Sequence, residues 1–248
     1  MSKKDSLGDR MKRYESVSNI QLTPRSCVLV RVDGNAFHTF TKKLKKFTKE
    51  KTLFNADFIL SMRNAAMDTA SRMQGFKLAY IQSDEASFLL SDFDTINTDG
   101  WFGYNHSKIV SLSASLMTSN FIKHITKPFP ILDDNFPIFD SRAFIIPNDD
   151  VSNYFLWRAR DWNRNSINMY ARSFFSHSQL KNKNTNDIHE MLHGINKNWT
   201  NDLGNIEKNG TFLIKNQEMR KIDIKDCIKP NFKEIDGIVN NSRVFDYL

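Results

Sequence analysis

The apolar residues of this chain change period in a fixed order, and that order restricts the fold more than any other feature. Residues 27–32, Cys-Val-Leu-Val-Arg-Val, form a β-branched run suited to a buried strand, which Gly34 is expected to break. Over residues 53–73, Phe54, Phe58, Ile59, Met62, Ala65, Ala66 and Ala70 recur at helical spacing, and Gly75 ends the pattern. Residues 76–81 and 86–90 read as two short strands joined tightly through Gln82-Ser83-Asp84-Glu85, a hairpin. Ile109, Leu112, Ala114, Leu116 and Phe121 predict a second helix over 105–124, and after Pro128 and Pro130 residues 136–146 read as another strand. The order β-α-β-β-α-β predicts an α+β, ferredoxin-like antiparallel sheet with its first and third strands side by side at the centre.

The remainder is less regular. Residues 11–24 form a lead-in. Beyond Pro147 the spacing predicts helices over 151–161 and 165–176, a helix over 185–193 capped by Thr185, and a short strand over 211–214. This divides the chain into a palm, 1–147, and a helical region, 148–248, packed integrally with it. At 248 residues, 40% hydrophobic and with 20 phenylalanines, the chain can build a sizeable core. Its formal net charge of +7 favours a polyanionic partner such as nucleic acid, although a Lys-rich solvated surface gives the same number. Two cysteines, Cys27 and Cys227, make neither a disulfide framework nor a zinc site. With no apolar run of membrane length and a polar start, a soluble cytoplasmic protein without a membrane partner is expected.

The ordering gives two acids a shared location. Asp33 leaves the first strand and Asp84 sits at the turn entering the third, so both reach one edge of the sheet. Paired carboxylates at neighbouring strand ends hold hard cations against phosphate oxygens, the two-metal arrangement of nucleotidyl transfer. The alternative is that either aspartate merely caps a turn, and fold analogy alone would not establish function. A second motif points elsewhere. His189-Glu190-Met-Leu-His193 is a literal H-E-x-x-H, which on a helix places two zinc-ligating histidines on one face with Glu190 as base. Gly194 follows at once and no third ligand is evident, which weighs against a zinc peptidase.

Several words of the sequence resemble a known family. Val30-Arg-Val-Asp-Gly-Asn-Ala-Phe-His38 and Gln82-Ser-Asp-Glu85 are similar to the two metal-site motifs of the tRNA-His guanylyltransferase family. Leu7-Gly-Asp-Arg-Met-Lys-Arg-Tyr-Glu15 is similar to its start, Trp101-Phe102 with Ser107-Lys108 to its triphosphate-binding stretch, and Phe139-Asp-Ser-Arg142 to a further strand. Two departures stand out. Gly103-Tyr104-Asn105 replaces a basic cluster, and 161–170 lacks a histidine found in the eukaryotic guanylyltransferases. The words at 171–177 and 186–192 resemble instead the guanylyltransferase-like branch, which implies templated 3′→5′ addition to truncated tRNA 5′ ends. Addition of G at −1 of tRNA-His is the alternative.

The resemblance implies roles residue by residue. Two Mg²⁺ ions would be held by Asp33, Asp84 and the Gly34 carbonyl, with Glu85 either supporting them or lying in a solvated turn. The backbone of Gly34, Asn35, Ala36, Phe37 and His38 would cradle ATP or GTP phosphates, with Ser83, Asp84 and Lys108 adding contacts. The lysine run Lys42, Lys43, Lys45, Lys46, Lys49 and Lys51, and a face of Arg158, Arg160, Arg164 and Arg172, would follow tRNA phosphates or form solvated faces. A homotetramer, a dimer of dimers, is implied as well.

Overall fold

In the computed structural model, residues 5–44, 54–129 and 136–215 are described, together with the backbone of strands at 222–225, 233–235 and 238–240. Among these, the elements run α1 (Leu7–Ser16), β1 (Cys27–Asn35), α2 (Phe37–Leu44), α3 (Ala56–Ala70), β2 (Phe76–Gln82), β3 (Glu85–Leu90), α4 (His106–Ile125), β4 (Ile138–Ile146), α5 (Val151–Ala171), α6 (His177–Leu180), α7 (Thr185–His193), α8 (Trp199–Asp202), α9 (Asn205–Asn209), β5 (Thr211–Lys215) and β6 (Ile222–Lys225). A separate pair, β7 (Lys233–Ile235) and β8 (Ile238–Asn240), follows.

The main sheet has the order β4-β1-β3-β2-β5-β6, with every pairing antiparallel. Its first four strands are the expected ferredoxin-like set, with β1 and β3 adjacent at the centre. The C-terminal half adds strands to that same sheet through β5 on β2. Side chains alternate across the sheet. Val28, Val30 and Val32 of β1, with Ala86 and Phe88 of β3, pack into one cluster with α3 and α4, through Met62, Ala66, Met117 and Phe121. Cys27 and Leu29, with Leu78, Tyr80 and Leu89, face Val151, Tyr154 and Phe155 of α5. Both faces of the central strands are therefore covered, which explains their near-continuous apolar sequences. Burial pushes the Cys27 thiol up to about 11, in keeping with a small core residue.

Three expectations need correction. The strand does not break at Gly34: β1 continues to Asn35 because β4 still supplies ladder partners, Gly34 opposite Phe139 and Asn35 opposite Ile138. The helices expected at 151–161 and 165–176 are one helix of 21 residues. No glycine or proline interrupts 162–164. Trp162 is buried edge-on against Phe54, and Asp161 pairs with Arg164 one turn on, inside the expected break. The cap of α7 is Asn184, one residue before Thr185: its side chain accepts the Asp187 N–H and Asp187 accepts its N–H, both at 3.0 Å.

Candidate active site

The site is built at the end of the sheet where β1 runs out and β2 turns into β3. Gln82 and Glu85 are ladder partners, so Ser83 and Asp84 alone form the hairpin turn. Ser83 adopts the left-handed region with φ 48°, and the turn is tied to β1 by the Gly34 N–H, which donates to the Asp84 carbonyl at 3.0 Å. This bond brings Asp84 beside Asp33, as the sequence order requires. In register, Asp33 lies opposite both Glu85 of β3 and Asp140 of β4. By alternation these three acids form one row on the face toward α5. The next row on that face holds Arg31, opposite Arg142 and Ser87.

Behind the acids, the chain from Gly34 to Phe37 is held by packing. A Cβ added at Gly34 would lie 2.4 Å from the Phe37 ring, so only glycine lets Phe37 fold back over the strand end. Phe37 itself sits within an aromatic cluster, with ring centroids 4.8 Å from Phe139, 5.3 Å from Phe40, 5.5 Å from Phe121 and 6.1 Å from Phe58. Its side chain is core, leaving its backbone for any ligand. Ala36, with φ 55°, makes the turn into α2, and Asn35, Ala36 and His38 are exposed.

The electrostatics of the pair are unsettled without a cation. Burial, then Asp140, raise the Asp33 carboxyl above its ordinary value, against the opposing pull of Arg31, Arg142 and Arg158. Burial also raises Asp84, with Asp33 and Glu85 adding to it against hydrogen bonds from Ser83 and its own backbone. Two half-buried carboxylates that repel each other and have open coordination suit a divalent cation. Among the described residues no group of three or more His, Cys, Asp or Glu side chains forms a metal cage. Mg²⁺ does not require one, since it takes one or two carboxylates and completes its shell with water and phosphate oxygens. The residues present therefore fit a magnesium ion, which Asp33, Asp84 and the Gly34 carbonyl would hold.

Two cavities meet beside this pair. A polar cleft of about 270 Å³ is lined by Asp33, Ser83, Asp84 and Glu85 on the sheet and by Asp161, Asn165, Asn168 and Arg172 on α5. A more apolar cavity of about 320 Å³ is lined by His38, Thr41, Lys42, Phe54, Asn55, Phe58, Ile59 and Met62 among others. Gln82, Ser83, Trp162, Met169 and Arg172 border both. Gln82 Oε1 and Trp162 Nε1 are buried there with no hydrogen-bond partner among the described residues, and such atoms favour a polar ligand or water.

The other expected residues fall in different places. Lys42 is exposed at the rim of the apolar cavity, and Arg164 is exposed and paired with Asp161. Lys45 and Lys46, with Lys49 and Lys51, lie outside the described residues. Arg158 does not belong to an exposed basic face. It is 7% exposed, because its guanidinium turns inward to Glu85, which is likewise buried rather than in a solvated turn. Lys108, the third residue of α4, is exposed at the opposite end of the sheet, where Trp101, Tyr104 and Ile109 pack near Val28 and Leu90. Five strand residues separate Val28 from Asp33, about 16 Å at 3.3 Å each, so one chain does not bring Lys108 to the acids. The zinc motif also dissolves. His189 packs edge-on to the Trp199 ring at 6.0 Å, and no third ligand gathers near it among the described residues.

Reading the sequence missed the α5 contribution. Asp161, Trp162, Asn165, Asn168 and Met169 recur at helical spacing, a signal hidden by splitting the helix at 162–164, while Arg172, expected on a tRNA-facing surface, lines the cleft instead. It also missed Gln82 and Asp140, whose relation to the acids depends on strand register.

Comparison with known proteins agrees with this architecture. Residues 8–147 match the Thg1 family, described as tRNAHis guanylyltransferase. The tRNA(His) guanylyltransferase of Schizosaccharomyces pombe is 32% identical over 95% of this chain and 92% of its own. A bacterial Thg1-like protein solved in complex with ATP superposes with a TM-score of 0.81 at 38% identity, covering 89% of this chain and 92% of that one. A structure of a bacterial Thg1-like protein in complex with GTP gives a TM-score of 0.72 at 35% identity. The acid pair at the strand ends, the palm that carries it and these likenesses place the chain in the tRNAHis guanylyltransferase (Thg1) family of nucleotidyltransferases.

Proposed function

We propose that this chain adds nucleotides in the 3′→5′ direction to the 5′ end of truncated tRNA, each chosen by pairing with the opposing base. The observation that carries the reading is the junction of the polar cleft with the apolar cavity across Gln82, Ser83 and Trp162. A nucleoside triphosphate spanning it sets its phosphates beside Asp33 and Asp84 and its base among Phe54, Phe58, Ile59 and Met62. The ATP and GTP held by the two bacterial Thg1-like complexes are of the kind this space suits.

In this reading Asp33, Asp84 and the Gly34 carbonyl would hold two Mg²⁺ ions, which would lower the pKa of an attacking hydroxyl and offset the charge of the departing phosphate. The backbone of residues 34–38 and the Ser83 hydroxyl orient the triphosphate, and Arg172 and Lys42 offset its charge at the cavity walls. A 5′-phosphate oxygen first bonds to the α-phosphorus of ATP as pyrophosphate leaves, or the end already carries a triphosphate. The 3′-hydroxyl oxygen of the incoming nucleotide then bonds to the 5′ α-phosphorus as AMP or pyrophosphate leaves. Arg164, exposed on α5, would follow tRNA phosphates, with Lys42 at the cavity rim shared between tRNA and triphosphate. A homotetramer accompanies the reading, and sedimentation of the purified chain checks it.

Base pairing is favoured over a fixed preference for G because 161–170 lacks the guanylyltransferase histidine, with Trp162 and Asn163 on this stretch of α5. The test offers all four NTPs to tRNAs lacking the first nucleotide, with each base in turn opposite the gap. Addition of the complement, stopping when the acceptor stem is full, is expected. G added against every template would instead make the chain a guanylyltransferase of the −1 position.

A further inference from the structure

A third carboxylate beside a metal-holding pair would ordinarily be read as a third ligand. Glu85 follows Asp84 and stands opposite Asp33, yet both its oxygens are engaged elsewhere. Arg158 Nε donates to Oε1 at 2.7 Å and Nη2 to Oε2 at 2.6 Å, a forked pair. Gln82 Nε2 also donates to Oε1, at 3.2 Å, and both residues of the pair are 7% exposed. The guanidinium lies 4.6 Å from the Trp157 ring centroid, and Nη2 is 3.3 Å from Asp161. One turn earlier on α5, the Tyr154 hydroxyl bonds Ser87 Oγ at 2.8 Å. Four helix residues rise about 6 Å and two strand residues about 6.6 Å, so the 154/158 pair on α5 matches the 87/85 pair on β3. The helix is thereby fastened to the strand that leads out of the Ser83–Asp84 turn.

We propose that Arg158 is a positioning residue: it withholds Glu85 from the metal and, through that bond, braces the turn so that Asp84 faces Asp33. The proposal rests on the reading of Asp33 and Asp84 as the metal-holding pair. Glu85 is then an anchor rather than a ligand, and Arg158 is spent on it rather than on phosphate. The pair also gives one of three neighbouring carboxylates a directly bonded cation of the chain's own.

The test compares Glu85→Gln, Arg158→Met, Arg158→Lys, the Glu85→Gln/Arg158→Met double variant and Asp84→Asn. Binding of Mn²⁺ alone, followed by the paramagnetic resonance of the free ion, needs no substrate and so stands apart from the proposed reaction. Glu85→Gln, which keeps both ligands and loosens only the brace, should weaken Mn²⁺ binding less than Asp84→Asn, which removes a ligand and should weaken it at least tenfold. Equal weakening in the two would make Glu85 a ligand and overturn the proposal. In nucleotide addition, Arg158→Met and Glu85→Gln should each lower kcat at least tenfold with nucleotide KM and tRNA affinity unchanged. The double variant should be no slower than the slower single, and Arg158→Lys, which cannot make the fork, should fall between. Losses that multiply, or a tenfold loss of tRNA affinity at unchanged kcat, would contradict it. Should Arg158→Met not fold, Arg158→Lys and the Mn²⁺ comparison of Glu85→Gln with Asp84→Asn decide the matter.

Discussion

Gly34→Ala is the substitution whose effect follows most directly from the packing around the acids. The new Cβ would lie 2.4 Å from Phe37 Cδ2, with two further ring carbons at 2.6 and 2.7 Å. An ordinary contact needs about 1 Å more. The ring has nowhere to retreat, since Phe139, Phe40 and Phe121 surround it at centroid distances of 4.8, 5.3 and 5.5 Å. Overpacking of this kind costs about 1–3 kcal/mol. In a chain of this size each kcal/mol moves Tm by about 2–4 °C, so a fall of about 2–12 °C is expected. The strain is shared with the neighbouring Asp33, and a displacement near 1 Å at a reacting centre costs on the order of 10²-fold in rate. Thermal unfolding and single-turnover nucleotide addition measure the two effects. If the Phe37 ring is the cause, the penalty should shrink in a Phe37→Leu background, with a coupling of about 0.5–3 kcal/mol. An unchanged Tm, or an identical loss in both backgrounds, would refute the argument.

Burial raises the carboxyls of Asp33 and Asp84 in the metal-free fold, so the native state holds their protons more tightly than the unfolded chain. Stability from these groups is present below the ordinary value of 3.8 and is lost as pH rises toward their raised values. The Tm of the wild type, measured without divalent ions against an Asp33→Asn/Asp84→Asn variant, should therefore decline relative to that variant above pH 4; a constant difference would contradict the assignment. Mg²⁺ at a hundred times its Kd should restore about 2.7 kcal/mol to the wild type and nothing to the variant, read as a shift in Tm. His189→Ala and His193→Ala should leave nucleotide addition intact and elemental analysis should find no stoichiometric zinc. One zinc per chain, lost in both, would revive the peptidase reading.

The central palm was legible because its signals are local. The apolar run at 27–32, the helical spacing at 53–73 and the turn at 82–85 each depend on residues near in sequence, and the crossing order then forces β1 beside β3. The acid pair followed from that adjacency. What stayed hidden depends on partners far along the chain. Arg158 looks like any helix cation until Glu85, 73 residues away, claims it. Lys108 lies on a helix whose start sits at the far end of the sheet, a matter of helix direction that spacing does not encode. The continuity of α5 was obscured because Trp162 and Asn163 are middling helix formers, and tertiary burial of Trp162 overrides that weak local preference.

The account turns on Asp33 and Asp84 acting together on a 5′-truncated tRNA. Single-turnover addition of a labelled complementary nucleotide, in Mg²⁺, compares the wild type with Asp33→Asn and Asp84→Asn at equal folded concentration. Each substitution should slow addition by at least about 10³-fold, about 4 kcal/mol of transition-state stabilisation. Near-normal addition by either variant would contradict the assignment of the site.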